Sequence, residues 1–561
     1  MGSNSSQTIV QPTRVVLSGL NPYGGIFGRA ELIHLLKRTM FGAKKADIDA
    51  LQGKTLSQVM DILLTVPTTD PVPPLNNYTN TTTPDVNVPL GQTWVYAPED
   101  GNLAGQRRNS LKSWWVGNML DQNLSIHEKM VMFWHNHFST RVVDTSPSYF
   151  WPHIVMLRKN ALGNFKTFVK DVTLDPNMLR FLNGYRNVKA APDENYGREL
   201  QELFTMGKEP QDYTEADVKA AAKVLTGWKV RQETYKINPA DTTEVLKYRW
   251  ASYFSMNDHD VTNKQFSAAY ANTIIQGKIG IDGGNAEIDA LLNMIFATND
   301  AAKYICRKLY RFFVYYKVDA VTEANVIAPL ADIFKQNNFD IKPVLKALLS
   351  SEHFFDAANT GCVIKSPVDY LIGLNRELNV VFPASADYVA QYNAWYAILA
   401  NANGLSAQGQ NIGDPPNVAG WQAYYQAPLY HEFWVNTDSF PKRLRFTDQL
   451  LTPGGFGLGV GKKLVINPVI FTDSLGTLAQ DPNTLVDSVL ELLYRVPVSP
   501  NFRAYLKTTI LLDTQASDHY WTDAWAAYKA APTNAMVLNI VTTRLTKFYK
   551  FLLDSPEYQL S

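Results

Sequence analysis

The chain has 561 residues, of which 46% are hydrophobic and 12% aromatic, enough apolar side chain for a large packed core, so general disorder is excluded. Lysine plus arginine equals aspartate plus glutamate at 52 each, with no basic run, so a nucleic-acid-binding role is not expected. No transmembrane segment is expected, because no run of about 18 apolar residues occurs. Two cysteines, Cys306 and Cys362, are too few for a disulfide framework.

Residues 1–27 are polar, broken by glycine and proline, and read as an extended arm without a recognisable signal peptide. Arg29–Gly42 reads as a helix ended by glycine, followed by short helices at Lys45–Leu51 and Leu56–Leu64. Residues 66–92 are rich in Pro, Thr and Asn and read as a surface loop insertion. A helix over Asn109–Leu120 precedes Ser125-Ile-His-Glu128, a capping-box pattern that opens Lys129–Phe138. Tyr149–Lys159, Phe165–Val172 and Asn177–Leu182 continue the helical pattern.

The stretch from Asp193 to Gly227 predicts a helical hairpin. Leu200, Leu203 and Phe204 recur at helical spacing, and Gly207 stands where a left-handed terminator belongs. Thr214 is a fitting N-cap for a second helix that closes on Gly227. Beyond it, alternating residues predict a β-hairpin over 228–256. Helices resume at Glu287–Phe296, Ala301–Tyr315, Glu323–Gln336, Ile341–Ser350, Lys365–Leu378 and Tyr388–Ala402. An irregular stretch, Gly409–Trp421, and a glycine-rich turn or linker at 452–465 come before helices at Thr484–Tyr494 and Val537–Leu553. The class is therefore mainly α: a large multi-helix domain over 28–440 with a small β-hairpin insertion, and a C-terminal helical part over 441–561.

Several constellations have the residue types that chemistry needs. Glu194, Arg198 and Glu202 fall at i, i+4 and i+8 and share one helical stripe, with Glu199 one turn from Glu202. They fit an ion-pair network between helices, paired carboxylates for acid/base work on a glycosidic bond, or a carboxylate-rich metal site. His135 and His137 are candidate divalent-metal ligands. On a regular helix they point about 200° apart, so sharing one metal requires the helix to end near Trp134. His259, flanked by Asp258 and Asp260, fits a metal ligand, a general base with its orienting carboxylate, or a turn held by Asx hydrogen bonds. Asp260 joins Glu194, Arg198, Glu199 and Glu202 as a catalytic candidate. Asn417 and Trp421, on a loop stiffened by Pro415 and Pro416, are candidates for binding a sugar if the indole is exposed. No Gly-x-Ser-x-Gly elbow, phosphate-binding loop, His-Glu-x-x-His or dinucleotide fingerprint is present.

Five stretches resemble the bacterial family catalogued as domain of unknown function 1800. They are His34-Leu-Leu with Arg38, Phe41 and Gly42; Phe133-Trp-His-Asn-His-Phe138; Asp193–Gly207 with Leu225-Thr-Gly-Trp228; His259-Asp260 with Lys264; and Gly409–Trp421. Asp193 and Gly197 depart from the family pattern. The resemblance implies an exported protein of the periplasm or cell surface and a partner from a sulfatase-like exported family, and it brings no established reaction. Three functions are expected to compete. The first is a hydrolase acting on an extracellular polymer such as a polysaccharide, and the second a non-catalytic surface binding or assembly protein. The third is a metal-dependent redox protein.

Overall fold

The structure, a computed structural model, describes residues 16–208, 213–238, 240, 244–382, 389–401, 403–459 and 461–561. It is mainly α, with three two-stranded antiparallel sheets among the described residues. The first half runs through α1 (Arg29–Thr39), α2 (Lys45–Leu51), α3 (Leu56–Leu63), α4 (Ala104–Leu120), α5 (His127–His137) and α6 (Pro147–Asn160). It continues with α7 (Phe165–Thr173), α8 (Pro176–Phe181), α9 (Asn195–Glu199) and α10 (Glu215–Val224). A hairpin of β1 (Trp228–Tyr235) and β2 (Lys247–Phe254) follows, pairing Trp228 with Phe254 and Tyr235 with Lys247. After α11 (Gly280–Phe296) and α12 (Asn299–Phe313) the chain stays helical, through Pro367–Glu377 and Ser439–Leu451 to Ala535–Asp554.

One contiguous set of buried apolar side chains extends from Leu32 to Tyr558. The part beyond residue 441 packs into that same core. Ile364 forms a bridge with Leu560, and the buried Tyr370 hydroxyl bonds Thr447 at 2.6 Å. Of the N-terminal arm, residues 1–15 lie outside the described residues. Its remainder crosses the 350–353 turn, where Tyr23 N–H donates to Ser350 O at 2.9 Å.

Three local expectations change. Ser125 does not head a capping box. The helix starts at His127, Ser125 Oγ donates to Thr65 O and accepts from His127 N, and the Glu128 carboxylate is taken by Arg158 at 2.6 Å. The 66–92 insertion lacks helix, as its composition predicts, yet it is anchored inward rather than lying loose on the surface. Asn76 is buried and bonds Val88 O, and Asp85 is buried against Arg107 and the Tyr78 hydroxyl. The glycine cluster at 452–465 forms a tiny hairpin, Phe456–Gly457 with Lys463–Leu464. Cys306 is buried, and Cys362 is half-buried with its thiol donating to Asn359 O at 3.3 Å.

Candidate functional site

The helix that begins at Asn195 changes character after Glu199: Leu200–Thr205 is a π-helical turn, closing on Gly207 at φ +92°. Wider turns of this kind leave carbonyls in need of donors and often mark functional segments. Here Thr205 Oγ1 donates to Leu200 O and Met206 N–H to Gln201 O, while His137 Nε2 donates to Phe204 O at 3.0 Å. The predicted carboxylate stripe faces outward. Arg198 grips Glu215 of α10 with two bonds of 2.6 and 2.7 Å, touches Glu194 at 3.3 Å and lies 3.8 Å from Glu202. That fork pins α9 to α10. Glu199 stands apart from it, and burial, reinforced by the nearby Glu202, holds its carboxyl above the usual range.

The α5 histidines do not converge. The helix continues through His137 instead of ending at Trp134, so the two rings leave opposite faces. His135 Nε2 accepts a bond from Gly413 N–H at 3.2 Å, and its ring packs edge-on against Trp115, Phe150 and Trp421. His137 sits among Phe133, Phe138 and Phe204. Burial keeps both rings neutral, with pKa values well below the ordinary histidine range. Among the described residues, no three His, Cys, Asp or Glu side chains are grouped so as to hold a metal ion.

Between these histidines, Asn136 clasps the 409–421 loop: its Oδ1 accepts Trp421 N–H at 2.9 Å. A Cβ on Gly420, at φ +91°, would lie 2.3 Å from that oxygen, so only glycine fits there. Lys112 ties the other end of the loop, reaching Asn411 at 2.6 Å and Asp414 at 2.7 Å. Trp421 is thereby 3% exposed and unavailable for stacking on a ligand. Asn417 is exposed, and its side-chain amide bonds the Tyr425 hydroxyl.

His259 lies in a third place. Its Nδ1 faces Thr226 O at 2.9 Å and its Nε2 faces Glu287 Oε1 at 3.1 Å; the other Glu287 oxygen takes Lys264 Nζ at 2.6 Å. All three side chains are fully buried. Asp260 makes the turn hydrogen bonds to Thr262 N and Oγ1. Glu287 escapes a sequence reading because it follows His259 by 28 residues and belongs to no motif that includes it.

What the fold does open is a groove of about 860 Å³ between the 70–73 loop, α6 and the β-hairpin. Tyr96, Trp151, Tyr235 and Tyr248 wall it, with Asp70, Asp171 and Lys159 among the polar groups along it. Arg249 lies 5.0 Å over Tyr235 and Lys247 5.3 Å over Tyr96, contacts that hold both rings in place. A smaller cavity of about 170 Å³ adjoins it across Val72 and Pro73. Across the hairpin Tyr235 pairs with Lys247 and Tyr248 with Thr234, so the two tyrosines that wall the groove are diagonal neighbours and not register partners.

A mainly α protein whose motif residues knit helices together, with an aromatic groove beside them, is the class that fold and geometry define. The family model described as a protein of unknown function (DUF1800) matches residues 34–560, and the chain belongs to that family. No curated protein and no solved structure matches the chain.

Proposed function

We propose that this is a non-catalytic binding protein for an extended polymer of the cell exterior, with a polysaccharide as the best fit. The observation that supports it is the groove of about 860 Å³, walled by four aromatic rings from three separate parts of the chain. Aromatic faces cover the C–H faces of sugars, while tyrosine hydroxyls and carboxylates take up hydroxyl groups. The motif histidines and Arg198, by contrast, are consumed in contacts within the protein. Action outside the cytoplasm accords with the family's pattern of export.

Affinity electrophoresis against a panel of neutral and acidic polysaccharides tests this reading. Retardation by at least one polymer is expected, with no release of reducing ends. Migration unchanged by every polymer contradicts it. A second reading, hydrolysis, draws on one observation: Glu199 holds a raised carboxyl beside Glu202, as a general acid needs. Reducing ends that accumulate with the wild type and stop with Glu199→Gln would favour that reading instead.

A further inference from the structure

A second polar feature shares no lining residue with the groove. Beneath the C-terminal turn of α1 there is an enclosed chamber of about 40 Å³, where roughly 10–15 Å³ suffices for one water. Lys37 and Arg38 of α1, Lys129 of α5, Arg311 of α12 and Lys365 line it, with Asp369 as the carboxylate in its wall. Lys37, Arg38, Lys129 and Lys365 are each at most 5% exposed.

Three of these cations are accounted for. Lys37 pairs with the buried Glu377, and Lys129 pairs with Asp369. Arg38 donates to Phe313 O and to the carbonyl and hydroxyl of Ser561. Arg311 has a single backbone acceptor, Tyr316 O at 3.2 Å. Lys365 has only an aromatic face: its ammonium lies 3.7 Å over the Tyr558 ring. Neither Arg311 nor Lys365 has a carboxylate within ion-pair distance among the described residues. Burial, then Lys37 nearby, push the Lys365 ammonium down to about 7. Buried charges are ordinarily paired, because removing an unpaired ion from water costs several kcal/mol. An enclosed space lined by more cations than carboxylates is electrostatically incomplete.

We propose that this chamber is a binding site for a small inorganic oxyanion, phosphate or sulfate, held by Lys365 and Arg311. The size of the space selects a bare tetrahedral anion over an anionic group on a larger molecule. Guanidinium forks match tetrahedral oxyanions in geometry, and the ammonium adds a point charge. The anion would join α12 to the start of the Pro367–Glu377 helix through one shared counter-charge.

The test is thermal unfolding of the full chain in an anion-poor buffer, titrated with sodium phosphate, sodium sulfate or sodium chloride at matched ionic strength. A saturable rise in unfolding midpoint with phosphate or sulfate, beyond that with chloride, is expected. Lys365→Met should weaken the apparent affinity by about tenfold or more. In the absence of oxyanion the same variant should be at least as stable as the wild type, since it removes an unpaired buried charge. Should Lys365→Met fail to fold, Arg311→Gln, at a half-buried position, reads the same loss of affinity. Equal stabilisation by all three salts overturns the proposal, as does oxyanion stabilisation unaltered in both variants.

Discussion

Helix α10 carries a polar cluster at each end, and the two behave differently although each joins carboxylate to basic side chains. At its start, Glu215 meets the Arg198 fork, with Glu194 and Glu202 alongside, in contact with solvent. Just past its end, Thr226 O meets His259, which joins Glu287 and Lys264 in a site closed to water. The exposed cluster exchanges water for protein partners at little gain, so it adds alignment more than stability. The buried one has only backbone groups and Thr226 besides its own members, with no water to replace a lost carboxylate: its worth shows when Glu287 is removed, because Lys264 is then left in the interior without a counter-charge. Spacing in the chain makes the first cluster conspicuous and the second invisible.

Acid gives the largest separation between buried and exposed groups. His34, pushed down to about 3 by burial, and His135 and His137, held well below the ordinary range, are neutral when folded. The unfolded chain takes up those protons near pH 6.5, so their stability contribution is complete above that value and declines as pH falls below it. Each such ring costs about 1.4 kcal/mol per pH unit between its unfolded and folded pKa values. Urea midpoints measured from pH 7 to pH 4 should fall steeply from pH 6.5 downward. A flat profile to pH 5 would mean that these rings are not sealed from water.

Glu287→Ala is next in size. It strands both Lys264 and His259, and a loss of about 3–5 kcal/mol in urea unfolding is expected. A loss below 1 kcal/mol would show that the triad is hydrated and would erase the contrast between the two ends of α10. The smallest effect belongs to Arg198→Ala, with a loss below about 1 kcal/mol that shrinks further in 1 M salt. A larger loss that resists salt would place the Arg198 fork in the class of buried networks.

Much of the fold is legible from local signals. Gly42, Gly207 and Gly227 take positive φ at helix ends where the sequence pattern puts terminators, and a hairpin forms where the alternation predicts one. Those features depend on residues a few positions apart. The π-helical turn at Leu200–Thr205 does not follow from periodicity, because its carbonyls are met by His137 from another helix as well as by Thr205 within the turn. Ser125 and Glu128 match a capping pattern but answer to Thr65 and Arg158 instead, a tertiary choice that no local rule contains. For the candidate site, residue types were visible and partners were not. Trp421 reads as a sugar platform only if it is exposed, and the bond from its N–H to Asn136 shows the partner that the sequence does not name. The aromatic groove gathers Tyr96, Trp151, Tyr235 and Tyr248 from distant segments, so no spacing announces it.

The central claim is that the groove, and not the motif carboxylates, is the functional surface. The most direct measurement compares wild type, Tyr235→Ala/Tyr248→Ala and Glu199→Gln/Glu202→Gln on one retaining polysaccharide, with folding of each checked by circular dichroism. The expected result is a loss of affinity of about tenfold or more in the tyrosine variant, corresponding to at least 1.4 kcal/mol, with unchanged binding in the carboxylate variant. Full binding by the tyrosine variant, with the carboxylate variant abolishing binding or polymer turnover, would contradict it.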